Sequence, residues 1–295
     1  MSKPERRLGV QTLSSSDKNI EQLSDQDLEE ELLQILPVKV MQSDRDHVHE
    51  HIARYRVLFS SIPRAKGAAT LLDVGGRGNL LPPYFSRLGY RFVALANKWQ
   101  SRDLDADRIA QFIPREKFRC DYFDAESEPF PYEDNSFETV VCSEVIEHLT
   151  HDPAHVVTEI NRVLKLGGKF VLTTPNITSS PALYRLLSGV HPQVWSVYTG
   201  KDADRHNREY TPREIVRLLE ACGFADLTMQ TFSLSGIPLK IRLITAWASL
   251  PWLLRGQSAS FGQRGEYILA VGTKSGAVRE RYPAWLYDRN GQVAS

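Results

Sequence analysis

Beyond Gly67, short runs of apolar and β-branched residues alternate with stretches of helical periodicity, and no other feature of the chain restricts its fold as strongly. Strands that alternate with helices form βαβ units, in which a parallel sheet is covered by helices on both faces. Two of the runs are almost continuously apolar or β-branched, as buried central strands are. The predicted strands are Thr70–Val74, Arg91–Ala96, Lys117–Cys120, Thr139–Ser143, Lys169–Thr174, Leu227–Phe232 and Tyr267–Gly272.

The pattern divides the chain into an N-terminal helical extension (1–66), an α/β domain (67–273) and a C-terminal tail (274–295). His47 and His51 share one face of the second helix of the extension, and both a metal site and solvated side chains fit them. The predicted helices are Asp25–Leu36 and Asp44–Ser60 in the extension, and Leu80–Leu88, Ala106–Ile113, Pro153–Leu164, Pro181–Ser188 and Pro212–Ala221 in the domain.

The charge and cysteine content exclude several classes of protein. The 295 residues include 36 basic and 36 acidic side chains, so the formal net charge is zero. A dedicated nucleic-acid-binding protein normally carries a basic excess, and we therefore expect no nucleic-acid partner. The three cysteines form no CxxC pair, which argues against a zinc site and a disulfide framework and favours a reducing compartment. Because the N-terminus is polar and lacks the apolar run of a signal peptide, we expect a cytoplasmic protein.

A glycine-rich turn follows the first predicted strand, with the sequence DVGGRGN from Asp73 to Asn79. Glycines let the backbone approach a ligand closely, and ligands of open α/β sheets lie at the carboxyl ends of the strands. Such a turn alone would equally serve a nicotinamide cofactor. The carboxylate of Asp73, however, suits a cationic amino group better than a pyrophosphate, so an oxidoreductase is the disfavoured alternative.

Three further motifs follow in order. The first flanks the strand Thr139–Ser143, with PYEDNSFE before it and EVIEHL after it. The second is EINRVLKLGG from Glu159, and the third is TTPN from Thr173. Together with the glycine-rich turn, this series closely resembles the S-adenosylmethionine-dependent methyltransferases of the class I, type 11-like family over about residues 68–273. The resemblance implies a Rossmann-like, seven-stranded, mostly parallel sheet with helices on both faces and an antiparallel last strand. It also implies methyl transfer from S-adenosyl-L-methionine.

The segment Arg205–Glu214, RHNREYTPRE, resembles methyltransferases found among the enzymes of polysaccharide and glycolipid biosynthesis. Its second half has a structural explanation, because Thr211 and Glu214 form a capping box around a proline in the first turn of a helix. His206, Arg208 and Glu209 have no such role. They either face the substrate or form salt bridges within the loop.

The resemblance also implies a cofactor site, in which Asp121 competes with Asp124 and Ala125 as the residue that binds the adenine. Its residues are Asp73, Gly75, Gly76 and Gly78 at the methionine moiety, Asn97 at the ribose, Asp124 and Ala125 at the adenine, and Ser143 and Glu144 beneath the sulfonium.

Two departures from the family pattern concern this site. Arg77 and Asn79 occupy glycine positions of the turn, and Asn97 replaces an acidic residue, although an amide binds ribose hydroxyls more weakly than a carboxylate does. The alternative function is therefore that of a degenerate methyltransferase fold, a binding module that does not catalyse methyl transfer.

Methyl transfer to a hydroxyl requires alignment of the reactants and removal of a proton. His206 and His148 are the candidate catalytic bases, because imidazole titrates near neutral pH.

Glu144, Glu147 and His148 also resemble the metal-binding cluster of some quinone-pathway O-methyltransferases. Similar strings occur in metal-free relatives, and we predict no metal. We predict O-methylation of a small-molecule or glycan or lipid-linked acceptor.

The most apolar stretch, Ile237–Leu254, is interrupted by Lys240, Arg242 and Pro251, so it does not satisfy the requirement for a membrane span. As an insertion (237–255) between the last two strands, it fits a helix pair packed in the core. It also fits a surface patch that makes peripheral contact with the inner face of a membrane, where it would meet a lipid-linked acceptor.

Overall fold

The computed structural model describes residues 23–35, 42–75, 84–85, 88–96, 115–193, 205–234, 236–254 and 263–287. The helices within them are α1 (Asp25–Ile35), α2 (Gln42–Ser61), α3 (Pro153–Val163), α4 (Ser180–Leu187), α5 (Pro212–Ala221) and α6 (Leu239–Leu254). The strands are β1 (Thr70–Val74), β2 (Phe92–Ala96), β3 (Phe118–Asp121), β4 (Phe137–Ser143), β5 (Leu164–Pro175), β6 (Phe224–Phe232) and β7 (Tyr267–Lys274).

All seven strands form one sheet, in the order β3-β2-β1-β4-β5-β7-β6. The pairs from β3 through β5 are parallel, whereas β7 runs antiparallel to both of its neighbours. The predicted fold class, a Rossmann-like and mostly parallel sheet with an antiparallel last strand, is therefore confirmed. Because the chain leaves β1 toward one edge and returns to β4 on the other side, the carboxyl ends of β1 and β4 flank a topological switch point.

The sheet separates two hydrophobic cores, because successive side chains of a strand point to opposite faces. In β5, for example, Val171 belongs to one core and Leu172 to the other. Helices α1 and α2 cover the first core, and helices α3 and α5 cover the second.

The N-terminal extension shares its core with the sheet. Leu28, Leu58 and Phe59 are almost completely buried, and the Phe59 ring stacks on Tyr84 at 3.7 Å between ring centroids. At the start of α1, the Ser24 Oγ accepts a hydrogen bond of 3.1 Å from the backbone N–H of Asp27. The extension is thus continuous in its packing with the α/β part.

Local signals fix the ends of several helices. Helix α5 has the bounds predicted from the sequence, because Thr211 and Glu214 form the capping box in full and Gly223 follows the helix at φ +86°. Strand β5 begins earlier than predicted, directly after α3, because Leu164 already has an extended backbone. The predicted helix Ala106–Ile113 lies outside the described residues, as does most of Leu80–Leu88.

The shared core predicts that a truncation in α2 destabilises the fold as a whole. Leu58→Ala, at a side chain that is 1% exposed, should lower the free energy of unfolding by about 2–5 kcal/mol, because it leaves a cavity between α2 and the sheet. Leu166→Ala, at a side chain that is 72% exposed, is the matched control and should change it by less than about 0.5 kcal/mol. Urea unfolding measures both, and equal effects of the two changes would contradict the shared core.

Candidate active site

The carboxyl ends of β1, β4 and β5 meet at one edge of the sheet. Asp73 is the second-to-last residue of β1 and pairs in register with Val141 of β4. Ser143, which ends β4, lies with its Oγ 2.7 Å from the Thr173 Oγ1 of β5. Glu144 follows directly and donates its backbone N–H to the Thr173 carbonyl at 3.0 Å. Three of the predicted cofactor residues therefore lie at the switch point.

Asp73 is completely buried, and within the described part of the chain neither of its carboxylate oxygens has a hydrogen-bond partner. This burial raises the pKa of Asp73 from 3.8 to about 7, because desolvation disfavours the charged form. A buried polar group without a partner is costly in a protein interior. An ammonium group brought by a ligand would supply the missing partner, which is the contact that the methionine moiety of S-adenosylmethionine offers.

Gly75 adopts a left-handed backbone conformation with φ +76°. A Cβ at this position would lie 2.3 Å from the Val145 Cγ2, so any side chain here collides with the protein itself. Glycine is therefore required at this position by the turn and by its packing. Of the other residues predicted for the cofactor site, Gly76, Gly78 and Asn97 lie outside the described residues.

Glu144 also has a left-handed backbone, with φ 56°, which is unfavourable for a residue with a side chain. Its Oε1 accepts a hydrogen bond from the Thr173 Oγ1 at 2.9 Å, and its Oε2 lies 3.4 Å from the Arg54 guanidinium. Burial raises the pKa of Glu144, and the charge of Arg54 opposes that rise. Backbone strain of this kind is found preferentially at functional sites.

Arg54 reaches this edge from α2 and was not predicted as a site residue. Its side chain is only 14% exposed, although the guanidinium is always charged. The charge of Glu144 raises the pKa of Arg54, against the effect of burial. No local sequence signal distinguishes Arg54 from the other arginines of α2, because its partner lies far away along the chain.

His206 and Glu209 form a buried pair, with the His206 Nδ1 2.9 Å from the Glu209 Oε1 and side chains that are 8% and 1% exposed. A carboxylate at Nδ1 selects the tautomer that carries its proton there and leaves Nε2 as the acceptor. Arg208, by contrast, forms a half-exposed ion pair with Glu214 at 2.7 Å. The loop salt bridge therefore accounts for Arg208, whereas His206 and Glu209 face inward.

The two predicted bases lie side by side, with the rings of His148 and His206 4.9 Å apart between centroids. His148 uses its Nδ1 for a 3.0 Å hydrogen bond to the Arg205 carbonyl, and its Nε2 lies 4.0 Å from the Glu147 Oε1. Asn207 joins the two segments, because it donates its side-chain N–H to the His148 carbonyl at 2.7 Å.

Glu147 is fully buried, and its Oε2 accepts a 2.9 Å hydrogen bond from the Thr174 Oγ1. Its Oε1 has no hydrogen-bond partner among the described residues. Burial, followed by the charge of Glu144, raises the pKa of Glu147 well above its ordinary value. One ligand atom from each of Glu147, His148 and His206 lies within 4.8 Å of the others, so these residues could hold a metal ion. The expectation of a metal-free site stays a prediction.

The adenine side was predicted from Asp124 and Ala125, with Asp121 as the competing choice. Both Asp121 oxygens are engaged, by the Arg119 Nε at 2.6 Å and by the Tyr132 hydroxyl at 2.8 Å. Asp124 accepts the backbone N–H of Glu126 at 3.0 Å in a tight turn of the loop, beside the half-buried Ala125. The assignment of the adenine to Asp124 and Ala125 stays a prediction.

The buried Asp73 predicts a stability that depends on pH. Because its folded pKa is about 7 and its unfolded pKa about 3.8, the native state binds the proton more tightly. Stability from this group is therefore present at low pH, falls as the pH rises from about 4 to about 7, and is level above that range.

In the variant Asp73→Asn this fall in stability should be missing. The difference in unfolding free energy between the two proteins should thus change by about 2–3 kcal/mol between about pH 5 and pH 8. Urea unfolding at both pH values measures it, and parallel curves would mean that Asp73 titrates normally.

Comparisons with known proteins agree with this geometry. Residues 72–172 match the family model described as a methyltransferase domain. A ubiquinone biosynthesis O-methyltransferase of Idiomarina loihiensis is 25% identical over 159 residues, which cover 54% of this chain and 63% of that protein. One from Xanthomonas oryzae pv. oryzae is 34% identical over 122 residues, which cover 40% of this chain and 47% of that protein. The chain thus spans less than two thirds of the length of either relative.

The solved structure of an S-adenosylmethionine-dependent methyltransferase from Mesorhizobium loti has the same fold, with a TM-score of 0.50 and 17% identity over 75% of this chain and 97% of that one. The family match runs from within β1 to within β5 and includes the turn that holds Glu147 and His148. Residues 72–172 are thus similar to the methyltransferase domain family, and the sheet that contains them has the fold of that solved methyltransferase.

Proposed function

We propose that this chain transfers a methyl group from S-adenosylmethionine to a hydroxyl oxygen of a small-molecule acceptor. The observation that carries the proposal is the buried His206–Glu209 pair, which lies against His148 and so close to the segment that follows the carboxyl end of β4. A hydroxyl acceptor loses a proton during methyl transfer, and a base close to the bound cofactor would accept that proton. The relatives named as ubiquinone biosynthesis O-methyltransferases support oxygen as the methylated atom.

Asp73 and Arg54 form the half of the site that would bind the cofactor, whose methionine moiety is a zwitterion. Asp73, with no partner among the described residues, would accept the ammonium group of the methionine moiety. Arg54, a largely buried cation beside Glu144, would pair with the carboxylate of the same moiety. Binding would thereby compensate charges that the free protein holds in its interior. The ribose contact of Asn97 and the turn residues Gly76 and Gly78 remain predictions.

The acceptor half would remove a proton during transfer. S-adenosylmethionine supplies an electrophilic methyl group on a positively charged sulfur. As the acceptor oxygen bonds to the methyl carbon, the carbon–sulfur bond breaks and the sulfur keeps the electron pair. The His206 Nε2 takes the hydroxyl proton, and Glu209 holds the ring in the correct tautomer and stabilises the imidazolium. Glu209 is accordingly a positioning residue, and the alignment of donor and acceptor provides the remaining acceleration.

His148 is the weaker candidate for this role. Its Nδ1 is fixed by the Arg205 carbonyl, and its Nε2 faces the buried Glu147. We assign the His148 side chain to holding the loop of His206 in place, because its Nδ1 binds the carbonyl of Arg205, the residue before His206. The side-chain cluster of Glu147, His148 and His206 supports a second mechanism, in which a metal ion would bind the acceptor hydroxyl and lower its pKa. Dialysis against a chelator tests it directly.

The cofactor half is tested by calorimetry with S-adenosylhomocysteine. Asp73→Asn should weaken binding by at least about tenfold, because it removes a charge-assisted contact. Asp226→Asn is the matched control, since it makes the same chemical change at an exposed residue of β6 with a left-handed backbone that asparagine tolerates. Equal affinities in all three proteins would contradict the Asp73 contact, and a protein that bound NAD instead would exclude the proposed function.

The acceptor half is tested by turnover with catechol-type phenols as acceptors. His206→Asn should lower kcat by about 10²–10⁴-fold and leave the affinity for S-adenosylhomocysteine within about twofold, because a general base acts only in the chemical step. Glu209→Gln should lower kcat less, through the orientation of His206.

His49→Asn is the control for these variants. His49 also pairs with a glutamate, Glu29, at 3.0 Å, but on the exposed side of the extension. An unchanged kcat in His206→Asn would overturn the assignment of the base. A wild-type protein that binds S-adenosylhomocysteine but methylates neither phenols nor glycan or lipid-linked hydroxyls would instead favour the non-catalytic binding module.

A further inference from the structure

Helix α6 is apolar around most of its circumference, yet over 239–248 most of its side chains are not buried. Over 239–248, where its side chains are described, Thr245 alone is buried. Leu239, Leu243 and Trp247 are 66%, 60% and 78% exposed. They are spaced four residues apart and therefore form one stripe along the helix. The core-packed helix pair, one of the two interpretations of this segment, is thus wrong for the described part of α6.

Helix α4 adds to the same exposed region. It packs against α6, and the Thr245 Oγ1 lies 3.3 Å from the Ser180 Oγ at the start of α4. Its C-terminal end exposes Leu186, Leu187 and Val190. Of the nine large apolar or aromatic side chains that are exposed among the described residues, six belong to these two neighbouring helices and the residues that directly follow α4. Such a concentration marks an interaction surface, because single exposed apolar residues are normally scattered.

The charged residues of these two helices are all basic. Lys240 and Arg242 are exposed on α6, and Arg185 lies partly exposed on α4. Neither helix contains an acidic residue. The whole chain has a formal net charge of zero, so this excess of positive charge is local to the two helices.

The size of the surface fits contact with a membrane rather than insertion across it. Helix α6 has 16 residues, and none of the described helices is long and apolar enough to cross a bilayer. Tryptophan and leucine side chains beside lysine and arginine are typical of helices that lie in the headgroup region of a bilayer.

We propose that α4 and α6 form a docking surface for an anionic lipid bilayer, with Leu239, Leu243 and Trp247 entering the interface and Lys240 and Arg242 contacting the lipid phosphates. The surface lies next to the acceptor half of the site, because α4 follows Asn176 at the end of β5, and Asn176 forms a β-bridge with Tyr210. A docked protein would hold this edge of the sheet toward the lipid. Docking requires neither cofactor nor methyl transfer and is independent of the proposed activity.

The test is co-sedimentation of the full chain with vesicles of phosphatidylcholine, alone or mixed with phosphatidylglycerol. The wild-type protein should pellet with the mixed vesicles and be released by added salt, because salt screens the contacts to phosphate. Leu243→Asp/Trp247→Asp should reduce binding by at least about tenfold, since it withdraws two apolar side chains from the interface and adds repulsive charge. Lys240→Gln/Arg242→Gln should abolish the preference for the anionic lipid.

Leu166→Asp/Tyr282→Asp is the matched control, because it places the same charges at exposed apolar residues outside the two helices, and it should bind as the wild type does. All of these substitutions are at exposed side chains, and circular dichroism verifies that each variant is folded. Three results would overturn the proposal: no binding of the wild type to either vesicle, equal binding of Leu243→Asp/Trp247→Asp, or a dimer in light scattering that this variant dissociates. The last result would assign the surface to a second copy of the chain.

Discussion

The pairing of β1 with β4 is the constraint on which the candidate site depends. Parallel pairing brings the carboxyl ends of the two strands to the same edge, and the reversal of strand order between them leaves that edge uncovered by a crossover. Asp73 lies there as the second-to-last residue of β1, Glu144 as the residue that directly follows β4, and Thr173 of β5 lies beside Glu144. Segments that lie far apart in the sequence thereby meet at one edge of the sheet, and Asp73 is completely buried there.

The buried carboxyl groups distinguish this edge from the ordinary end of a sheet and favour a ligand site there. Burial raises the pKa values of Asp73, Glu144 and Glu147. The ionised form of each carboxyl group is therefore less stable in the folded protein than in water. Glu144 adds backbone strain. Groups of this kind concentrate where a ligand supplies the missing partners, and Asp73 offers both of its oxygens for that purpose. Arg54 pairs with Glu144 at this edge, and the His206–Glu209 pair is buried beside His148.

The sequence predicted the fold well because its signals are local. The bounds of β1 and α5 are as predicted, since a buried apolar run, a capping box and a glycine each act within a few residues. The inward orientation of His206 and the contribution of Arg54 could not be predicted in the same way. Both depend on contacts between distant segments, and a histidine or arginine has the same local pattern whether it is buried or solvated. The exposure of α6 is a similar case, because an apolar helix looks alike in a core and at an interface.

The central claim is that the edge formed by β1, β4 and β5 methylates a hydroxyl oxygen. Incubation with S-adenosylmethionine that carries a deuterated methyl group, followed by mass spectrometry of the acceptor, tests it most directly. The account predicts that the labelled methyl group is found on an acceptor oxygen, as an ether, and that the label is lost when His206 is replaced. Label on nitrogen or carbon, or on oxygen at an undiminished rate without His206, would contradict it.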